Sequence, residues 1–126
     1  MDAAQALADL TEISSQIEQA VLFDEQGGVE ASTVDEERAR ELARLAGELL
    51  DASRSVREGG EGLTQLEVST RAGSVFLVAD ADRRIVATTG PDPTVGLVFY
   101  DLKSCLRAAT EEVSSGGGRK RSKREA

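Results

Sequence analysis

The stretch that most constrains this chain runs from Leu63 to Thr89, LTQLEVSTRAGSVFLVADADRRIVATT. Its middle, Val75-Phe76-Leu77-Val78-Ala79, is a short unbroken apolar run containing β-branched and aromatic residues, as a strand covered on both faces requires. On one side Leu66-Glu67-Val68-Ser69 alternates apolar and polar, and on the other Arg84-Ile85-Val86-Ala87-Thr88 again reads as a strand. The connections, Arg71-Ala72-Gly73-Ser74 and Asp80-Ala81-Asp82, are short and made of turn-forming residues. The segment therefore reads as three antiparallel strands joined as hairpins.

The rest of the chain covers this sheet. Ala3, Ala6, Leu7, Leu10, Ile13 and Ile17 recur at intervals of three and four, which predicts an amphipathic helix from Asp2, an available cap, to about Ile17. Ala20-Val21-Leu22-Phe23, the turn Asp24 to Gly28 and Val29-Glu30-Ala31-Ser32 predict a hairpin. Thr33 as N-cap with Glu36 three residues on has the spacing of a capping box and predicts a second helix running to about Val56. Its stripe is Ala39, Leu42, Ala43, Ala46, Leu49, Leu50 and Ser53. Leu45 falls off that stripe, which implies a second covered surface. Glu58-Gly59-Gly60-Glu61-Gly62 predicts a flexible break, and Asp92 as N-cap before Pro93 predicts the start of a last helix ending near Glu112. Residues 1–113 then form one domain, followed over 114–126 by a glycine linker and a disordered basic tail.

The order helix, two strands, long helix, three strands, helix is that of an α+β sandwich rather than an alternating doubly wound fold. The first and last helices can share one face of a five-stranded antiparallel sheet and the long middle helix the other. At 126 residues one core suffices, and with only 3% aromatic residues that core is aliphatic. No apolar run approaches a membrane span, and MDAAQALADL has neither the basic region nor the apolar stretch of a signal peptide. With the single Cys105, this leads to the expectation of a cytoplasmic protein. The segment 116–126 has a net charge of +4, so the −8 of the whole chain leaves −12 on residues 1–115. Such an acidic body repels nucleic acid and suits a basic or mixed partner.

The strand-turn-strand AVLFDEQGGVEAST leading into the long helix, and the final segment SVFLVADADRRIVATTGPDPTVGLVFYDLKSCLRAA, resemble the Roadblock / dynein light chain family. Within the second, Val95-Gly96-Leu97-Val98 followed by Tyr100-Asp101-Leu102 is similar to that family's approach to its last helix. The resemblance covers residues 3 to about 112. It implies a profilin-like fold and a homodimer in which the middle helices pack antiparallel and the strands after them meet edge to edge. The small residues Ala43, Ala46 and Gly47, with Leu50, permit close helix approach, and Leu66 and Val68 lie on an edge that needs protection. These six are the expected dimer interface. The resemblance further implies a non-enzymatic regulator of the bacterial type that binds a small Ras-like GTPase and modulates its nucleotide cycle. The alternative is a structural dimerisation or scaffold module in a signalling or cytoskeletal complex.

The residues themselves offer little chemistry. There is no histidine, so the commonest general base and metal ligand is missing, and no cofactor or metal is expected. Cys105 reads as a packing residue, Asp80 and Asp82 as turn residues, and the glycines at 59, 60 and 62 precede a strand rather than a phosphate-binding helix. On the middle helix Arg40, Glu41, Arg44 and Glu48 are either a solvated face or the partner-binding surface. For the tail cations Arg119, Lys120, Arg121, Lys123 and Arg124, two readings stand beside each other. One is a solubilising or incidental terminus, the other weak, salt-sensitive contact with an anionic membrane or nucleic acid.

Overall fold

The computed structural model describes residues 2–56 and 63–118, with side chains as far as Ala109. Along the chain lie α1 (Ala3–Ile13), β1 (Ile17–Asp24), β2 (Val29–Ser32), α2 (Glu36–Val56), β3 (Thr64–Ser69), β4 (Ser74–Asp80), β5 (Arg83–Thr89) and α3 (Val95–Gly118). The strands form one sheet in the order β2-β1-β5-β4-β3, every neighbouring pair antiparallel. The meander expected from Leu63 to Thr89 is thus β3, β4 and β5, and β1 joins it along the far side of β5.

Period-two alternation divides the sheet between two cores. Ala20, Leu22, Phe76, Val78, Ile85 and Ala87 point to the face carrying α1 and α3, where they meet Leu7, Leu10, Val98, Leu102 and Leu106. Phe76 and Phe99 pack there edge to face with centroids 5.0 Å apart. Val21, Phe23, Leu77, Ala79 and Val86 point to the opposite face and meet Ala39, Leu42, Ala43, Ala46 and Leu50 of α2. The three layers of the expected sandwich are therefore present.

The turns follow from local chemistry. Asp24 Oδ1 accepts hydrogen bonds from the N–H groups of Gln26 and Gly28, and Gly27 takes φ +85°, which closes the β1–β2 hairpin. Gly73 sits at φ +155°, where a Cβ would overlap the Thr89 carbonyl oxygen.

Element ends differ from expectation. Asp2 caps α1 by accepting from the Gln5 N–H at 2.8 Å, but the helix stops at Ile13 and Ile17 opens β1, paired with Thr89. The spacing to Ile17 suits a helix, yet Ser14 adopts extended geometry and the β-branched Ile17 gains ladder partners. Asp35, not Thr33, caps α2: its Oδ1 accepts from the Arg38 N–H at 2.8 Å. Thr33 is instead held to β1, its Oγ1 accepting from the Ala20 N–H and its own N–H donating to the Ala20 carbonyl. Likewise Asp92 does not cap α3. It takes φ +57° in the turn, and the Thr94 carbonyl accepts the first helical bond from Val98. Gln16 Oε1 accepts from the Thr94 N–H at 2.6 Å, tying the α1–β1 connection to the start of α3. Helix α3 continues past the expected end near Glu112 to Gly118, because serine and glycine weaken a helix without removing a backbone donor. The break expected at Glu58 to Gly62 and the cations from Arg119 onward lie outside the described residues.

Candidate functional site

Helix α2 carries both surfaces that the sequence marks out. Its buried stripe is Ala39, Leu42, Ala43, Ala46 and Leu50. Three of the expected dimer residues, Ala43, Ala46 and Leu50, are therefore in the chain's own core. The small side chains pack α2 against the sheet beneath it. A second stripe lies beside the first: Leu45, Leu49, Ala52 and Val56, spaced four, three and four, with Leu45 47% exposed and Val56 80%. Leu49, which the spacing put in the buried stripe, is half-buried and belongs here, and the surface that Leu45 marks is open in the single chain.

Handedness places the two flanks of α2. The helix starts beyond Ser32, at the end of β2 that pairs with Val21, and runs towards the end of β1 at Phe23. Ala20 and Asp24 turn their backbone groups to the β2 side, so Val21 and Phe23, which point at α2, turn theirs to β5. With a right-handed helix running along β1, this puts Leu45, Leu49, Ala52 and Val56 on the flank towards β5, β4 and β3. There Leu66 and Val75 are half-buried at the border of the α2 core, and Val68 is 42% exposed. Strand β3 is the sheet edge, paired among the described residues only with β4. Leu66 and Val68 thus remain at the surface where the sequence expects them, beside an exposed apolar helix flank.

The opposite flank faces the β1–β2 turn. A cavity of about 330 Å³ opens there, lined by Phe23, Glu25 and Gly27 on the strand side and Arg40, Arg44, Gly47, Glu48 and Asp51 on α2. Arg40, Arg44 and Glu48 of the expected partner surface therefore come together, whereas Glu41 turns away and pairs with Arg38 at 2.7 Å. Arg40 contacts Glu36 at 3.5 Å and Arg44 contacts Glu48 at 3.0 Å. Both pairs are exposed and spaced i,i+4, worth about 0.3–0.5 kcal/mol each, so they leave these side chains free to rearrange. Gly47, assigned by sequence to the dimer contact, lines this cavity. A Cβ placed on it would meet nothing within 4 Å.

Arg84 also lines the cavity, and sequence reasoning missed it. It stands opposite Phe23 and Ala79 in the ladder, in phase with Val86, so its side chain enters the α2 face of the sheet. It is only 7% exposed, and its Nε has no hydrogen-bond partner among the described residues. The available signal was its register relative to Val86.

Elsewhere the titratable groups support packing rather than chemistry. Cys105 is buried and donates to the Ala6 carbonyl at 3.4 Å, and burial, with the Asp9 charge, pushes its thiol up to about 12. Glu30 is raised by partial burial, opposed by Arg83 at 3.3 Å. Asp80 and Asp82 are exposed around the β4–β5 turn, where Ala81 takes φ +55°. Among the described residues no group of three or more His, Cys, Asp or Glu is arranged to hold a metal ion. Nor is any described helix long and apolar enough to cross a membrane.

A five-stranded antiparallel sheet with two helices on one face and one long helix on the other defines the profilin-like class. Within that class the chain belongs to the Roadblock/LC7 domain family, which matches residues 4–114. A Roadblock/LC7 domain from Streptomyces avermitilis superposes with TM-score 0.80 at 19% identity, covering 91% of this chain and all of the other. The gliding protein MglB from Thermus thermophilus gives TM-score 0.71 at 16% identity, with 86% of each chain covered. MglB from Myxococcus xanthus gives 0.62 at 15%, covering 89% of this chain and 84% of the other. These likenesses show a shared fold. No curated protein matches the sequence.

Proposed function

We propose that the chain is a non-enzymatic homodimer that binds a small Ras-like GTPase and modulates its nucleotide cycle. The observation that carries this reading is the apolar flank of exposed Leu45, Ala52 and Val56 with half-buried Leu49, beside the open edge strand β3 with Leu66 and Val68. A second copy related by a two-fold axis would cover both at once, the edges pairing backbone to backbone and the helix flanks packing on each other. The dimer surface built around the two α2 helices is then the platform on which the GTPase docks, with Arg40, Arg44 and Glu48 on its outer flanks. The resemblance of the sequence to Roadblock domains of the bacterial GTPase-regulator type supports the choice of partner, and the gliding protein MglB shares the fold.

Such a protein acts by shape and charge on its partner's own catalytic residues. The buried, protonated Cys105 suits a reducing cytoplasm. The cations from Arg119 to Arg124 would add salt-sensitive attraction to an anionic surface, read as a loss of binding to anionic vesicles when residues 117–126 are deleted. The deciding assay is to isolate the Ras-like GTPase that binds the protein and to measure its GTP turnover and nucleotide exchange with and without saturating protein. A changed rate is expected. Binding with both rates unchanged would make the protein a scaffold, and failure of every Ras-like GTPase of the native cell to bind would overturn the reading.

A further inference from the structure

We propose that the cavity between α2 and the β1–β2 turn is a socket for a carboxylate side chain, aspartate or glutamate, of the protein partner. This rests on the reading that the chain works by binding a partner protein, and adds the chemistry by which that partner is held. Arg84 supplies the charge. It lines the cavity, is 7% exposed, and its Nε is buried without a hydrogen-bond partner among the described residues. Arg84 forms no ion pair or hydrogen bond among the described residues and keeps only a small exposed area on the cavity side, so its charge is poorly compensated until an anion reaches it.

Gly47 supplies the room. Glycine is disfavoured inside a helix, and at this position a Cβ would meet nothing within 4 Å, so nothing in the chain's own packing calls for it. Its effect is to widen the wall of the cavity of about 330 Å³ that Arg84 faces.

The rim sets the class of ligand. Arg40, Arg44 and Arg84 are balanced by Glu25, Glu48 and Asp51, so the lining is formally neutral. A phosphate dianion or a nucleic-acid backbone would meet three carboxylates at close quarters. A single carboxylate matches a single unpaired guanidinium, which can present its terminal N–H groups to it as parallel donors. Because the cavity lies on the flank of α2 away from β3, it stays open when a second copy covers the other flank.

The test has two arms. In the first, nitrogen-15 NMR of the full-length protein follows the Arg84 Nε–H during titration with N-acetyl-glutamate amide, with N-acetyl-glutamine amide and inorganic phosphate as controls. A saturable shift with the carboxylate compound, absent with the glutamine compound and weaker with phosphate, is expected. It should be lost in Gly47→Leu, whose side chain would fill the socket while Arg84 stays observable. An equal response to the glutamine compound, a stronger one to phosphate, or none at all overturns the proposal. In the second arm, Arg84→Met and Gly47→Leu are compared with the unaltered protein for affinity towards the bound GTPase, with circular dichroism confirming the fold. Each should weaken binding at least about thirtyfold, as truncating one partner of a buried charge pair does. Wild-type affinity in both folded variants refutes the socket and leaves the GTPase reading intact. A carboxylate response at Arg84 with no GTPase binding to any form refutes the GTPase reading and leaves the socket.

Discussion

Replacing Gly47 by alanine separates two roles for the middle of α2. In an exposed helix interior, glycine costs about 0.8–1.0 kcal/mol relative to alanine, through backbone entropy in the unfolded chain and poorer shielding of the helix. That gain is realised only where the new methyl group meets no obstacle. At Gly47 the Cβ would stand in open space, and the residue sits at ordinary helical φ rather than in the left-handed region. The expected result is a stabilisation of about 1 kcal/mol, or roughly 4 °C in Tm for a domain of this size. Urea unfolding followed by circular dichroism measures it, and an unchanged m-value would show that the compactness of both states is preserved. The gain should not depend on protein concentration. Destabilisation that grows on dilution would mean that Gly47 lies against a second copy, as its small size first suggests, and would refute its placement on the cavity wall.

Three further outcomes follow from the packing. Gly73→Ala should cost at least about 2 kcal/mol in the same unfolding assay, because φ +155° and the Thr89 carbonyl leave no space for a Cβ; a neutral effect would refute the geometry of the β3–β4 turn. The double substitution Leu45→Asp with Val56→Asp should weaken dimerisation at least about a hundredfold in sedimentation equilibrium while leaving the circular dichroism of the protomer unchanged; unaltered association would remove this flank from the interface. Cys105, held near 12 rather than 9, should have its thiolate fraction at pH 8 cut roughly a thousandfold, so alkylation by iodoacetamide should be slow in buffer and fast in denaturant. The raised value also makes folding stability fall as pH rises from about 9 towards 12, since above 9 the unfolded chain releases a proton that the native state keeps. Rapid native alkylation would contradict the burial.

What could be read from residue order was the sequence of elements and their faces, because period-two and period-three-to-four patterns are local properties of the chain. Val75 to Ala79 alternate into two cores as the unbroken apolar run requires, and Leu45 marked a second surface of α2. Caps were less legible, since several residues in a row can serve. Thr33 and Asp35 both offer an acceptor, and the choice falls to Asp35 only because Ala20 of a neighbouring strand engages Thr33. The partner of an apolar stripe was not legible either: Ala43, Ala46 and Leu50 look alike whether they meet a sheet or a second helix. Arg84 was hidden for a related reason. A basic residue in a strand reads as outward-facing until the register puts it in phase with Val86 and under α2.

If a second copy of the chain covers the flank of α2 and the edge of β3, the protein in solution is a dimer. Light scattering on the purified protein at tens of micromolar tests it most directly. A single species of twice the 13.4 kDa chain mass is expected. A species of one chain mass at that concentration would contradict it.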